Sequence, residues 1–289
     1  MKSGKEKEMK KIAGLMLAAG MLVVQPAWAM ESQTFAGDTP EVEAVVSVRV
    51  DDSDPEEGVC TGTAIAPHWV LTARHCVEAA KKPGGSVRAG QGEMQFNYQI
   101  DRWEVAPRGD IALAHTVEEM QIGRFAEVAE EVPSGEVNVY GWSSDGSGGT
   151  TKLPSAKGEV RGESPLALFE APTALDVALQ DGARIQPGDS GGAVFSGGKA
   201  AGVMSAGLFE DPDNPTEEEM TSNAAVAVAP VADQVEWIRG LLSKPEKTPE
   251  ERMPASDGPR ASGFTMAGVA VGLLIAVAAG WVVLSRRKA

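Results

Sequence analysis

A chain of 289 residues with a formal net charge of −15, three histidines and two cysteines has room for one or two domains and a sizeable core. The acidic excess leaves no basic face for a phosphate backbone, which argues against a nucleic-acid partner. Apolar residues make up 43% and aromatics only 5%, so the expected core is mainly Val, Ala, Leu and Ile.

Residues 1–29 read as a signal peptide. Lys2, Lys5, Lys7, Lys10 and Lys11 form a basic start, Ile12 to Val24 is apolar, and Ala27-Trp28-Ala29 has the small-x-small pattern of a cleavage site. The apolar run is too short to span a bilayer comfortably, so cleavage after Ala29 is expected rather than a retained anchor. Export places the chain in an oxidising compartment, where Cys60 and Cys76 are candidates for pairing. Such a bond would close a loop of roughly 15 residues and contribute ~3 kcal/mol. The alternative is two free buried thiols.

Val42 to Val50 is β-like, and Cys60 to Ala66 followed by Trp69 to Thr72 reads as a hairpin of buried strands running into Ala73-Arg74-His75-Cys76. Ile100 to Val105, Asp110 to Ala114 and Val137 to Trp142 are again short, apolar and bounded by Gly, Pro or charge. Strands at this spacing indicate an all-β sandwich or barrel. Ser143 to Thr151 is a Gly/Ser-rich loop.

Pro187-Gly188-Asp189-Ser190-Gly191-Gly192 is a glycine-dense turn leading into the apolar Ala193-Val194-Phe195. Glycines on both sides let the backbone fold tightly and bring its N–H groups close to the serine hydroxyl. That hydroxyl is a poor nucleophile until a histidine base and an orienting carboxylate activate it. Gly202 to Gly207 is a further buried strand, Glu210 to Glu219 an acidic loop, and Ala224 to Ala229 strand-like. Val231, Val235, Ile238 and Leu242 have helical spacing.

Residues 243–263 lose periodicity and read as a Pro- and charge-rich linker. Residues 264–284 are 21 uncharged, apolar residues, ~32 Å as a helix, which suits a transmembrane span. Arg286-Arg287-Lys288 lie in a basic tail, 285–289, that the positive-inside rule keeps cytoplasmic. Linker, span and basic end are also the layout of a C-terminal sorting signal, removed after translocation.

Leu71-Thr72-Ala73-Arg74-His75-Cys76, Asp110-Ile111-Ala112-Leu113 and Gly188-Asp189-Ser190-Gly191-Gly192 stand in the order and spacing of the trypsin/chymotrypsin-like (S1) serine proteases, which the chain resembles over residues 34 to 242. Trp69, Tyr140-Gly141-Trp142, Val203-Met204-Ser205 and the Trp237-Ile238 helix add to the likeness. The resemblance implies an all-β protease domain, 30–242, of two six-stranded antiparallel Greek-key barrels with a short C-terminal helix. It makes His75 the general base, Asp110 its orienting carboxylate and Ser190 the nucleophile, with the N–H groups of Gly188 and Ser190 as the oxyanion hole. It pairs Cys60 with Cys76 beside the histidine, and it forms the S1 pocket from Arg184, Ser205 and Gly207.

The resemblance implies no cofactor and no metal; His68 and His115 lack partners in the motif and read as surface or satisfied structural histidines. Three departures from the family pattern stand out. Arg74 occupies a position that is commonly small, where a cation disfavours imidazolium unless it is paired or turned away. The nearest match to the family's mature N-terminus is Thr34-Phe35-Ala36-Gly37, which leaves open a cut near Gln33 or Thr34 to free an amine for Asp189. Arg184 stands where the pocket floor is expected, favouring an acidic residue at the scissile position; the competing reading pairs it with a carboxylate of the nearby acidic loop (Glu210, Asp211, Asp213, Glu217 to Glu219).

The sequence thus points to an exported, membrane-tethered serine endopeptidase, its protease domain outside the cytoplasm. Its expected partners are a polypeptide substrate, membrane lipid around the C-terminal helix, and an activating or sorting protease. A short signal peptide and a lone disulfide suit a bacterium. The alternative from another class is a catalytically silent binding module displayed on the same fold.

Overall fold

Closing a strand ladder on itself removes the exposed edges that short apolar strands would otherwise present, and this chain does so twice. The computed structural model describes residues 30–50, 59–78, 80, 82–142, 151–164, 169–170, 174–209 and 215–246. The expected signal peptide 1–29, nearly all of the expected linker 243–263, the expected span 264–284 and the basic tail 285–289 lie outside the described residues. No helix among the described residues is long and apolar enough to cross a membrane.

A short helix, α1 (Pro40–Glu43), precedes the first barrel. That barrel contains β1 (Val45–Arg49), β2 (Val59–Ala66), β3 (Trp69–Thr72), β4 (Ser86–Ala89), β5 (Phe96–Val105) and β6 (Ala112–Thr116). Its order is β1-β2-β3-β6-β5-β4, closed by antiparallel pairing of β4 with β1. The second barrel contains β7 (Gly135–Tyr140), β8 (Ser155–Glu163), β9 (Leu175–Leu179), β10 (Ala193–Ser196), β11 (Lys199–Gly207) and β12 (Ala225–Pro230). Its order, β7-β8-β9-β12-β11-β10, repeats the connectivity of the first.

The expected two-barrel, six-stranded architecture is therefore observed. Val46 and Val48 alternate with the less buried Ser47 and Arg49 along β1, as one-sided packing requires. The proline-led turn α1 takes the start of the stretch read as strand from Val42. A one-turn 3₁₀ segment (Ala232–Gln234) leads into the C-terminal helix, described below as α4 after the two helices between. Helix α2 (Arg74–Glu78) follows β3, and α3 (Glu217–Ser222) lies in the stretch read as an acidic loop. Thr216 caps α3, its hydroxyl accepting from Glu219 N–H while the Glu219 carboxylate accepts from Thr216 N–H. Helix α4 (Val235–Leu242) buries Val235, Ile238 and Leu241.

The described residues up to Ser243 belong to one compact unit, and residues 244–246 fall outside it.

Candidate active site

The site is assembled where three segments from the two barrels meet. Strand β3 ends at Thr72, and α2 begins two residues later, so His75 sits in the first turn after a buried strand. Cys76 in α2 is bonded to Cys60 in β2 at 2.06 Å, which ties the histidine turn to the neighbouring strand. Asp110 precedes β6 and is fully buried. Its Oδ2 lies 2.7 Å from His75 Nδ1, and its Oδ1 accepts the His75 backbone N–H at 2.9 Å. A carboxylate can only accept, so Nδ1 carries the proton and Nε2 is left with its lone pair.

The serine turn leads into β10 of the second barrel. Gly188 has φ 103° and Gly191 φ 81°, left-handed backbone that a side chain would strain. A Cβ at Gly191 would lie 2.1 Å from Thr61 O, 2.3 Å from Thr72 Oγ1 and 3.1 Å from Ala73 N. The turn is thus seated directly against the residues that lead into His75. Among the described residues, the N–H groups of Gly188 and Ser190 donate to no acceptor.

Thr61, to which sequence reading assigned no role, joins the two barrels. Its N–H donates to Ser190 O at 2.7 Å, and its carbonyl accepts from Thr72 Oγ1 at 2.7 Å. Its hydroxyl accepts from Trp142 N–H at 2.7 Å and has the carbonyls of Trp142 and Gly188 within donating distance, at 2.8 and 3.0 Å. Its place beside Cys60 was visible in sequence; its partners in the second barrel, 81 or more residues away, were not.

A recess beside Ser190 is lined by Ile185, Gln186, Asp189, Met204, Ala206 and Val226, and by Ser205 and Gly207 of the expected pocket. Arg184 is not among the lining residues: its guanidinium lies 3.6 Å from the Glu31 carboxylate and its backbone pairs with that of Glu31. Arg184 is paired, but its partner is Glu31 of the N-terminal segment, which neither reading of the sequence named. Residues 210–214 of the acidic loop lie outside the described residues. A larger groove lined by Glu41, Arg124, Asn138, Tyr140 and Phe195 contains none of the expected site residues.

Asp189 is 2% exposed and takes two backbone hydrogen bonds, from Gln186 N–H to Oδ2 at 2.9 Å and from Met30 N–H to Oδ1 at 3.0 Å. Burial pushes its carboxyl up to about 7, against the pull of those two bonds. The residue at Asp189 is therefore Met30 and not Thr34, whose N–H donates to Ser32 Oγ instead.

Arg74 is neutralised locally, at 2.9 Å from the Glu78 carboxylate and with its guanidinium over the Phe169 ring. His115 is fully buried, bonded to Asp101 at 2.6 Å and stacked on His68, which in turn bonds Thr116 O. Both are satisfied structural histidines, as expected.

Two barrels of this order with a histidine, a buried aspartate and a glycine-set serine between them define a chymotrypsin-type fold. The sequence pattern of the trypsin family matches residues 35–238, and the chain belongs to that family of serine proteases. Two Corynebacterium glutamicum peptidases are each 25% identical over 244 residues, covering 82% of this chain and 82% of theirs. Trypsin Tyr p 3.0101 of Tyrophagus putrescentiae is 27% identical over 187 residues, 54% of this chain and 66% of that one. In fold, the chain is similar to mouse neuropsin, a serine protease, with TM-score 0.54 at 20% identity over 71% of this chain and 97% of that one. It is equally similar to a mutant of human heparin binding protein, with TM-score 0.55 at 18% identity over 74% and 98%.

Proposed function

We propose that this protein is an exported serine endopeptidase, tethered to a membrane with its protease domain outside the cytoplasm, that cleaves polypeptides through an acyl-enzyme. The observation that carries the reading is the double hydrogen bond between His75 and Asp110, with the serine turn packed against Thr72 and Ala73. Asp110 holds the imidazole with Nε2 free to take the Ser190 proton as Oγ attacks the scissile carbonyl. The N–H groups of Gly188 and Ser190 receive the developing oxyanion, and each donor of this kind is worth roughly 3 kcal/mol to the barrier. The imidazolium then returns its proton to the leaving amine, and water repeats the sequence to release the acyl group.

The recess beside Ser190 supports a small apolar residue at the scissile position. Ile185, Ala206 and Val226 give it apolar walls, its one acidic lining residue, Asp189, is buried and bonded to the backbone of Gln186 and Met30, and Arg184 is engaged with Glu31. It is also narrow: a Cβ at Gly207 would lie 2.8 Å from Phe209 and 3.0 Å from Ile185.

Export rests on the basic start, apolar run and Ala27-Trp28-Ala29 pattern, and tethering on the uncharged stretch 264–284 followed by Arg286-Arg287-Lys288. Intact mass of the mature protein separates a retained anchor from a removed sorting signal. Labelling with a fluorophosphonate tests the catalytic reading: Ser190 reacts in the mature chain and Ser190→Ala abolishes the label. A mature chain that never labels is a binding module on a protease fold.

A further inference from the structure

We propose that Arg49 and Arg88 form an anion subsite beside the catalytic centre, which takes an acidic side chain of the polypeptide substrate beyond the scissile bond, on the leaving-group side. The inference rests on the peptidase reading above and adds a substrate class to it.

Strand pairing puts the two arginines together. In the β1–β4 ladder Val48 stands opposite Val87, both fully buried, so the outward face carries Arg49 opposite Ser86 and Arg88 opposite Ser47. Arg49 and Arg88 are diagonal neighbours on that face, within reach of each other's long side chains. The Arg88 guanidinium lies 5.0 Å over the ring of the buried Trp142. Burial and the Arg49 charge hold it below its ordinary pKa. Arg49 Nε is buried and donates to no acceptor.

In a chain of net charge −15, Arg74, Arg161, Arg184 and Arg239 each face a carboxylate, whereas neither Arg49 nor Arg88 has one among the described residues. Two like charges are thus held side by side with donors to spare. A carboxylate meets both needs, since it accepts from more than one guanidinium N–H and offsets the repulsion between the two cations.

The position of the pair identifies the part of a substrate that reaches it. The recess for the scissile side chain is built largely on the second barrel, from β11 and β12. His75, which returns a proton to the leaving amine, belongs to the first barrel, so the leaving segment departs on that side. From His75 the connection runs through Cys76 to Cys60, and Val59, the residue before Cys60, is the register partner of Arg49. From the serine turn it runs through Thr61, whose N–H donates to Ser190 O and whose hydroxyl accepts from Trp142 N–H, to the ring beneath Arg88. Both routes out of the reacting centre end at the same two arginines. A carboxylate carried by the departing segment is therefore the occupant, in preference to a free anion.

The test uses the mature full chain and internally quenched peptides with a small apolar residue at the scissile position. Glu, Gln or Lys is placed in turn at successive positions on the leaving-group side. At one of them Glu should give kcat/KM roughly 10-fold above Gln, expressed mainly in KM. Sodium chloride and inorganic phosphate should each reduce that ratio in the parent enzyme, a measurement that needs no variant. Arg49→Gln/Arg88→Gln should abolish the difference, and Arg88→Glu should turn the preference towards Lys, an inversion that lost packing alone does not produce. Equal rates for Glu and Gln at every position, in an enzyme that labels with fluorophosphonate at Ser190, overturn this inference and leave the peptidase reading standing. Phosphate that raises the melting temperature of the parent but not of the double variant, with no Glu preference in cleavage, makes the pair a free-anion site and overturns the inference in the same way. A mature chain that neither labels nor cleaves overturns the peptidase reading and this inference with it.

Discussion

One carboxylate holds one histidine at two points: Asp110 accepts the His75 ring at 2.7 Å through Oδ2 and the His75 backbone at 2.9 Å through Oδ1. The second bond fixes the start of α2, so the ring is positioned by its own main chain as well as by its partner. Asp110→Asn keeps the shape but offers one acceptor and one donor where two acceptors are needed. We expect kcat on a peptide substrate to fall by about 10⁴ because the imidazole is held in the wrong tautomer. The variant should stay folded by circular dichroism, which separates lost chemistry from lost structure.

Specificity should depend on the apolar wall and not on the arginine upstream. Arg184 and Glu31 are both substantially exposed and 3.6 Å apart, so Arg184→Ala should cost under ~1 kcal/mol of stability. Its cleavage profile over a peptide library should match that of the parent. Val226→Phe, by contrast, fills the recess and should lower kcat/KM for every substrate that enters it. An acidic preference lost on Arg184→Ala would sink the apolar-pocket reading.

Asp189 gives the chain a pH signature. Its carboxyl is raised by burial from 3.8 to about 7, so between those values the folded chain binds more protons than the unfolded one. Stability from this group is fully present below pH ~4 and is lost as pH rises through ~7. Thermal melts should decline across that window, and Asp189→Asn should remove the decline.

The Cys60–Cys76 bond spans a separation of 16 residues and clips α2 to β2. Replacing both with alanine should lower unfolding free energy in urea by ~3 kcal/mol on the loop-closure argument. Because the same turn carries His75, kcat should fall as well, with KM less affected.

How far the sequence could be read depended on whether packing left a trace in residue order. The strands β2, β3 and β11 are buried on both faces, and their apolar runs were plain. Strand β8 was missed because its inward residues Ala156, Gly158 and Val160 are small, so their alternation with the exposed Lys157, Glu159 and Arg161 makes a weak apolar signal. Helix α3 was hidden in a glutamate-rich stretch whose capping pair, Thr216 and Glu219, is a local signal that could have been used.

The sequence alone determined the family, because His75, Asp110 and Ser190 sit in short segments whose residue types and order are specific in themselves. It also offered Cys60 and Cys76 for pairing, since no other cysteines compete. Only the tertiary structure decided what touches Asp189 and Arg184. Met30 and Asp189 are 159 residues apart, and their contact follows from closure of the second barrel around a buried methionine. Arg184 turns to Glu31 for the same reason: the segment that delivers Met30 lies alongside it. Both pairings depend on how the chain closes in space, and no local pattern encodes that.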